Sequence, residues 1–188
     1  MIWLVLGVVI WSGVHLIKTI GAPLRTKLIE GIGENGYKGL FALSVLAGLV
    51  LIVIGWRSTI PEALYYPPAW TAPVTTVLMI VSFWLFGAAN MATRIKRFIR
   101  HPMLTGMVLW SAAHLISNGD SRSLVLFGGL GLWALIEMRA INARDGEWIK
   151  PEAPSIGVEV RGLAISLVIF AVVFFLHPYI AGVPIIPH

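Results

Sequence analysis

Five histidines are the side chains in this sequence best suited to chemistry in an apolar setting. His15 and His114 each lie inside a long apolar run, and His101 opens the run that contains His114. His177 lies in the last apolar run, and His188 ends the chain. Neutral imidazole is the commonest metal ligand in proteins. The histidines therefore indicate either a metal or haem site, or simple hydrogen bonds across helices.

The ligand types in the sequence favour haem over a bare metal ion. The chain has no cysteine, and its apolar runs hold almost no acidic residue; Glu137 lies at the end of one of them. A structural zinc site takes four side-chain ligands and would be short of them here. Haem iron takes one or two axial side chains, its macrocycle suits an apolar bundle, and its propionates require nearby cations.

Two pairs of histidines can supply axial ligands, and spacing does not decide between them. At about 1.5 Å per residue, His114 lies roughly 18 Å from the start of its run, and His15 about 8–10 Å from the end of its own. That pair is offset by roughly 10 Å in depth. His15 with His101 is offset by a similar amount in the opposite direction. We expect His177 and His188 to lie near water and to be structural.

The elements that must position these residues are membrane-spanning helices. The chain is 57% hydrophobic and 12% charged, whereas soluble domains carry about 25% charged residues. Apolar runs near the ~20-residue length of a membrane helix predict an all-α polytopic bundle, one domain over residues 1–188. The turn at residues 117–120 predicts a tight hairpin of the fourth and fifth spans. About six spans are expected, at residues 2–20, 39–56, 73–91, 102–117, 123–138 and 162–180.

The basic residues predict how these spans are oriented. Of the 14 lysines and arginines, all but Arg57 and Arg122 fall in three alternate loops, after the first, third and fifth spans. The positive-inside rule makes these loops cytoplasmic and puts both termini on the opposite side. This distribution accounts for the pI near 9.9 without nucleic acid as a partner; membrane lipid is the expected surrounding. The first run is predicted to be a retained span.

Several stretches in order resemble the NnrU family of bacterial membrane proteins. They include residues 13–15 with Arg25 ten residues on, and residues 33–37 and 44–49. The most specific runs from Arg-His-Pro at residues 100–102 to Asn-Gly-Asp at residues 118–120. Together they cover about residues 7–140. The resemblance implies a location in the bacterial cytoplasmic membrane.

The resemblance also implies a cofactor and the residues that bind it. The family is associated with denitrification and nitrogen-oxide metabolism, and is related to the plastid ζ-carotene cis–trans isomerase, which binds haem b through histidines. By that relation, His15 and His114 are the axial ligands, Arg25 and Arg100 are propionate or scaffold partners, and His101 is a weaker ligand candidate. The isomerase has a cysteine three residues before its second ligand. Ser111 stands at that position here, which puts a ligand switch of that type in doubt.

The sequence leaves four functions open. The first is a haem b protein with redox-dependent, isomerase-like chemistry on a lipid-soluble polyene. The second is a non-catalytic factor that responds to nitric oxide or assists assembly. Third, Arg-His-Pro-x-x-x-Gly at residues 100–106 also resembles isoprenylcysteine methyltransferases, which bind S-adenosylmethionine, but the paired glutamates of that group are missing after the fifth span. The last is a structural bundle whose histidines only form hydrogen bonds.

Overall fold

The computed structural model describes residues 1–182, and six helices make up most of this part of the chain. A short 3₁₀ helix at Arg94–Arg97 precedes the fourth helix. No β-strand occurs within residues 1–182; a single isolated bridge joins Ala63 and Asp120. The prediction of an all-α fold is confirmed. The helices are α1 (Ile2–Leu16), α2 (Ala22–Ser58), α3 (Thr71–Asn90), α4 (Pro102–Ser117), α5 (Ser121–Asp145) and α6 (Ile156–Ala181).

Four of these helices are long and apolar enough to cross a membrane: α2, α3, α5 and α6. The other two, α1 and α4, have 15 and 16 residues, fewer than the ~20 that a hydrocarbon core requires. Side chains such as Leu43 on α2 and Val168 on α6 are 67% and 63% exposed. Apolar side chains so exposed on apolar helices fit contact with lipid, and the chain is a helical membrane protein. The number of crossings stays a prediction.

The helices pack in a spatial order that differs from their order in the chain. Along the bundle the principal contacts join α2 to α1, α1 to α5, α5 to α4, α4 to α3 and α3 to α6. Consequently α1, α3, α4 and α5 lie in the interior of this order, and α2 and α6 lie at its edges. The predicted ligands His15 and His114 therefore lie on two helices that both contact α5.

Small residues allow α1 and α2 to approach closely. A Cβ atom at Gly7 would lie 2.6 Å from the Ile52 nitrogen. A Cβ atom at Gly55 would contact the Leu4 backbone even more closely. In lipid, where apolar burial gives little driving force, such close backbone contact is the main way that helices associate. The short α1 is therefore held against α2 mainly by close van der Waals packing at Gly7 and Gly55.

The second helix begins earlier than predicted. The span expected at residues 39–56 is part of a helix that starts at Ala22, with Pro23 in its first turn. Arg25 and Lys38, which were expected in a loop, lie on this helix. It is broken at Gly33, whose φ of 74° and ψ of 166° are not helical; only glycine adopts such a backbone at low cost. Apolar runs did not predict this part of α2, because charged residues interrupt the sequence before Gly33.

The hairpin between α4 and α5 is confirmed, with only residues 118–120 between the two helices. The Asp120 carboxylate accepts hydrogen bonds from the Arg122 and Ser123 nitrogens at 2.9 and 3.1 Å, and from the Ser123 hydroxyl at 2.7 Å. It thereby caps the first turn of α5. A π-helical turn follows at Leu124–Gly128, a feature that often marks functional sites.

Polar contacts divide the bundle into two ends. At one end, the Met1 amino group donates to the Thr59 hydroxyl at 2.5 Å, and Arg122 donates to the Trp56 carbonyl at 3.1 Å. At the other end, Arg144 donates to the Lys18 carbonyl at 3.3 Å. This second end, here called the basic end, brings together the termini of α1, α4 and α5 that carry the predicted basic loops.

Candidate functional site

The His15 imidazole lies in an aromatic cluster near the basic end of α1. Its Nδ1 donates to the Trp11 carbonyl at 2.6 Å, because a carbonyl oxygen can only accept. The neutral ring therefore keeps its lone pair on Nε2, the atom that a metal would bind. The ring centroid lies 4.1 Å from that of Trp11 and 5.4 Å from those of both Trp133 and Phe41. These rings give His15 a half-buried, largely apolar setting.

The His114 imidazole repeats this arrangement on α4. Its Nδ1 donates to the Trp110 carbonyl at 2.8 Å, which again leaves the Nε2 lone pair for a ligand bond. The ring stacks on Phe127 of the π-helical turn, with centroids 4.2 Å apart and planes inclined by 22°. The ring of His177, from α6, lies 6.4 Å away on centroids.

A sequence signal links the two histidines. Both belong to a Trp-Ser-x-x-His segment, so that the tryptophan carbonyl and the imidazole are one helical turn apart in each case. The serines of the two segments, Ser12 and Ser111, have buried hydroxyls with no hydrogen-bond partner in the described part of the chain. Buried polar groups are normally satisfied, so these two hydroxyls are exceptional. The repeat is visible in the sequence alone and is the signal that gives the two histidines the same local environment.

The structure places the two predicted ligands at different levels along α5. His15 contacts Trp133 and His114 contacts Phe127, and six residues separate these contacts, or about 9 Å along the helix axis. This agrees with the offset of roughly 10 Å expected from the sequence. Within residues 1–182, no ring contact joins the two imidazoles directly. Their shared ligation of one iron stays a prediction.

The structure brings His177 to His114, which sequence reasoning had not expected. His177 was predicted to lie near water and to be structural, which stays a prediction; its side chain is half-buried and its ring faces that of His114 at an interplanar angle of 29°. The rotation of α6 about its axis decides this contact, and no periodic pattern in that uniformly apolar helix indicates the rotation. His188, predicted to be structural, lies outside the described residues.

His101 and Arg100 join α4 to the end of α5. The His101 Nε2 and the Asn142 side-chain oxygen are 2.8 Å apart, with the ring nitrogen donating. Arg100 donates through Nη1 to the Gly146 carbonyl at 2.8 Å. These bonds give both residues a positioning role, one of the two roles expected for Arg100. Because the His101 Nε2 donates to Asn142, the lone pair of a neutral His101 ring lies on Nδ1.

A cavity of about 500 Å³ opens at the basic end, next to the His15 cluster. Arg25, a predicted propionate partner, lines it, and so does Phe41, whose ring also contacts His15. Sequence reasoning had used the other cations here only to assign topology. Such a volume falls within the ~300–1,000 Å³ range of small-molecule sites. The cavity is lined by Lys18, Arg25, Glu34, Tyr37, Lys38, Phe41 and Arg144.

These features fit a haem better than a metal ion held by protein alone. Within residues 1–182 no three histidine, cysteine or acidic side chains converge on a point that could hold a metal. Haem iron needs only one or two protein ligands, and His15 and His114 both have an Nε2 lone pair directed by a fixed Nδ1 bond. The buried Trp133 indole N–H, which has no acceptor, adds a donor beside His15. Cations for propionates line the adjoining cavity.

Comparison with known proteins gives one match. The family described as NnrU protein matches residues 3–185, nearly the entire chain. No curated protein and no solved structure matches the chain significantly. The family match extends the resemblance from residues 7–140 to residues 3–185 and so adds all of α6.

Proposed function

Because the chain belongs to the NnrU family, we propose that it is an integral membrane protein that binds haem b and acts in nitrogen-oxide metabolism. One observation carries this proposal. Two half-buried imidazoles, His15 and His114, each donate Nδ1–H to a tryptophan carbonyl one turn earlier. Such a bond fixes the tautomer and the ring orientation and makes Nε2 a better ligand. Structural histidines do not require two copies of that arrangement in one apolar bundle.

The proposed orientation has six crossings, with both termini on the non-cytoplasmic side of the bacterial cytoplasmic membrane. The separation of the polar contacts into two ends of the bundle supports it. The short α1 continues through a turn to Ile20, whose nitrogen donates to the Leu16 carbonyl at 2.8 Å, so its ordered length approaches a full span. The short α4 is flanked by α3 and α5, so that protein rather than lipid meets much of its surface.

The chain's own residues would hold the cofactor in defined ways. His15 and His114 would hold the iron through Nε2, and Arg25 would pair with a propionate. When bound, haem supplies an iron that can change redox state and bind a small molecule or a π-system if one axial position opens. The rings of Trp11, Trp133 and Phe41 would exclude water from the His15 side. Stacking on Phe127 fixes the plane of His114.

An optical experiment tests the proposal. The purified protein should show a Soret band whose position changes between the oxidised and reduced states, and a haemochrome typical of haem b. His15→Ala and His114→Ala should each shift or abolish these bands. His188→Ala is the control for loss of an imidazole that is not expected to bind iron. A protein without a Soret band, or with bands unchanged in both variants, contradicts the proposal.

The same preparation separates catalysis from sensing. If the family relation to the isomerase extends to activity, the reduced protein should convert a cis double bond in a lipid-soluble polyene to trans, as followed by chromatography. If the protein is instead a nitric-oxide-responsive factor, it should form a stable nitrosyl complex and leave the polyene unchanged. His114→Ala should alter whichever of these two responses occurs, because each requires the intact iron site.

A further inference from the structure

The charges around the basic cavity are only partly neutralised. Glu34 pairs with Lys38 at 2.8 Å, and Arg144 pairs with Asp145 at 2.6 Å. No ion pair between described residues includes Lys18 or Arg25, the other two cations of the lining. Each of these lies instead over an aromatic ring. Two cations without an acidic partner on one cavity wall are well placed to attract an anion.

Lys18 and Arg25 are held at the cavity by the aromatic residues of α2. The Lys18 ammonium lies 3.7 Å from the centroid of the Phe41 ring. The Arg25 guanidinium carbon lies 5.5 Å from that of the Tyr37 ring. Both distances are within the range of cation–π attraction. The two cations therefore converge from the turn after α1 and from the first part of α2, both before the break at Gly33, whereas the rings that they face lie after it.

A buried hydroxyl provides a second, independent indication of a ligand. Tyr37 lines the cavity, yet its side chain is 7% exposed and its hydroxyl has no hydrogen-bond partner. A buried phenol without an acceptor is uncommon, since native structures pair nearly all such groups. An oxyanion bound between Lys18 and Arg25 would place an acceptor beside this donor. The hydroxyl without an acceptor and the two unpaired cations are therefore all suited to bind an oxyanion.

The position of the cavity indicates what carries the anion. No histidine lines it, so an iron porphyrin seated inside it would find no axial ligand on the cavity wall. Leu40 and Leu43, one turn or less from the cavity residue Phe41, are 46% and 67% exposed, an apolar surface that continues along α2. A charged pocket next to a lipid-facing helix at the end of a bundle fits the headgroup of an amphiphile.

We propose that the basic cavity binds the phosphate of an anionic lipid from the leaflet that meets this end of the bundle. Lys18 and Arg25 contact the phosphate, and Tyr37 donates a hydrogen bond to it. The acyl chains lie along the exposed apolar side chains of α2. This site goes beyond haem binding and requires no haem, although the lipid phosphate and a haem propionate would compete for Arg25. A haem propionate is the competing carrier of similar charge, and the experiment separates the two.

Native mass spectrometry of the haem-free protein, released from a neutral detergent, tests the proposal with added phosphatidylglycerol or phosphatidylcholine. We expect saturable binding of phosphatidylglycerol and at least tenfold weaker binding of phosphatidylcholine. Arg25→Gln should weaken phosphatidylglycerol binding about tenfold, the usual loss for one charge-assisted hydrogen bond. Tyr37→Phe should weaken it severalfold. Lys27→Gln, which removes an exposed cation from the same segment of α2 outside the cavity lining, should change it less than twofold.

Each alternative result overturns the proposal. Equal binding of the two lipids, or equal effects of Arg25→Gln and Lys27→Gln, would show that no specific headgroup site exists. Displacement of phosphatidylglycerol by millimolar inorganic phosphate would assign the site to a free anion. If Arg25→Gln reduces haem retention but leaves lipid binding unchanged, the anion is a propionate. His15→Ala should leave lipid binding intact, so failure of the haem proposal does not affect this result.

Discussion

His177 on α6 faces His114 on α4, with ring centroids 6.4 Å apart and planes inclined by 29°. The His114 ring therefore has Phe127 at 4.2 Å and a second imidazole as neighbours. The principal contact of α6 is with α3. The histidine pair adds a contact between α6 and α4. Because His177 is on α6, the orientation of the His114 ring depends in part on the position of that helix.

The first prediction concerns His177→Ala. Loss of this half-buried ring should lower the free energy of unfolding by about 1 kcal/mol, the typical effect of a destabilising substitution. A Soret band should remain, because the predicted axial ligands His15 and His114 are intact, but its position should shift as His114 gains freedom. Thermal unfolding in detergent and reduced-minus-oxidised spectra measure the two effects. Complete loss of the band would instead make His177 an iron ligand.

A second prediction compares two buried serines. Ser82 and Ser111 are 0% and 3% exposed, but only Ser82 has a partner, the Gly106 carbonyl at 2.7 Å. Ser82→Ala should cost about 1 kcal/mol, and Ser111→Ala should cost nothing or stabilise the haem-free protein, because it removes an unsatisfied hydroxyl. Chemical denaturation of both variants provides the measurement. Equal destabilisation by the two substitutions would show that Ser111 has a partner.

Much of the architecture was predictable because it depends on local chemistry. The hairpin after α4 follows from a sequence of Asn, Gly and Asp, in which Asp120 can cap the next helix. The basic end follows from the alternation of charged loops. Membrane helices are also signalled by their length and composition alone, as for α3 and α6. In each case the residues concerned lie close together in the sequence.

Features that depend on packing between distant elements were not predictable. The contact of His177 with His114 requires the rotation of α6, which its uniformly apolar surface does not reveal. The cavity requires α1, α2 and the end of α5 to converge, and the break at Gly33 sets part of its wall. Of its unpaired cations, Lys18 looks like an ordinary topology signal in the sequence, and Arg25 is distinguished only by the family resemblance. The buried hydroxyl of Tyr37 likewise shows its significance only once its surroundings are known.

A third prediction tests the proposed orientation. The chain has no cysteine, so single cysteines can be introduced without a background signal. Tyr66, in the loop before α3, is 86% exposed, and Arg97 is exposed before α4 at the basic end. A membrane-impermeant maleimide should label Tyr66→Cys in intact spheroplasts and Arg97→Cys only after lysis. Glu147→Cys, after α5, should follow Arg97→Cys. The reverse pattern would place the termini in the cytoplasm.

A fourth prediction tests whether α1 is held by backbone approach to α2. A methyl group at Gly55 would meet the Leu4 backbone, with the Leu4 Cα at 2.5 Å, whereas one at Gly39 would have no neighbour within 4 Å. Gly55→Ala should therefore destabilise the protein by about 1–3 kcal/mol, the usual cost of overpacking. Gly39→Ala, the same change on the same helix, should be neutral or stabilise by up to about 1 kcal/mol through helix propensity.

Thermal unfolding in detergent, followed by circular dichroism, compares the two glycine variants. Because α1 carries His15, displacement of this helix in Gly55→Ala should also disturb the His15 cluster. Fluorescence of the tryptophans, including Trp11 and Trp133, should then change in Gly55→Ala and stay constant in Gly39→Ala. If both variants unfold at the same temperature, α1 does not depend on this close contact. The position of His15 would then have to be maintained by its aromatic neighbours on α2 and α5.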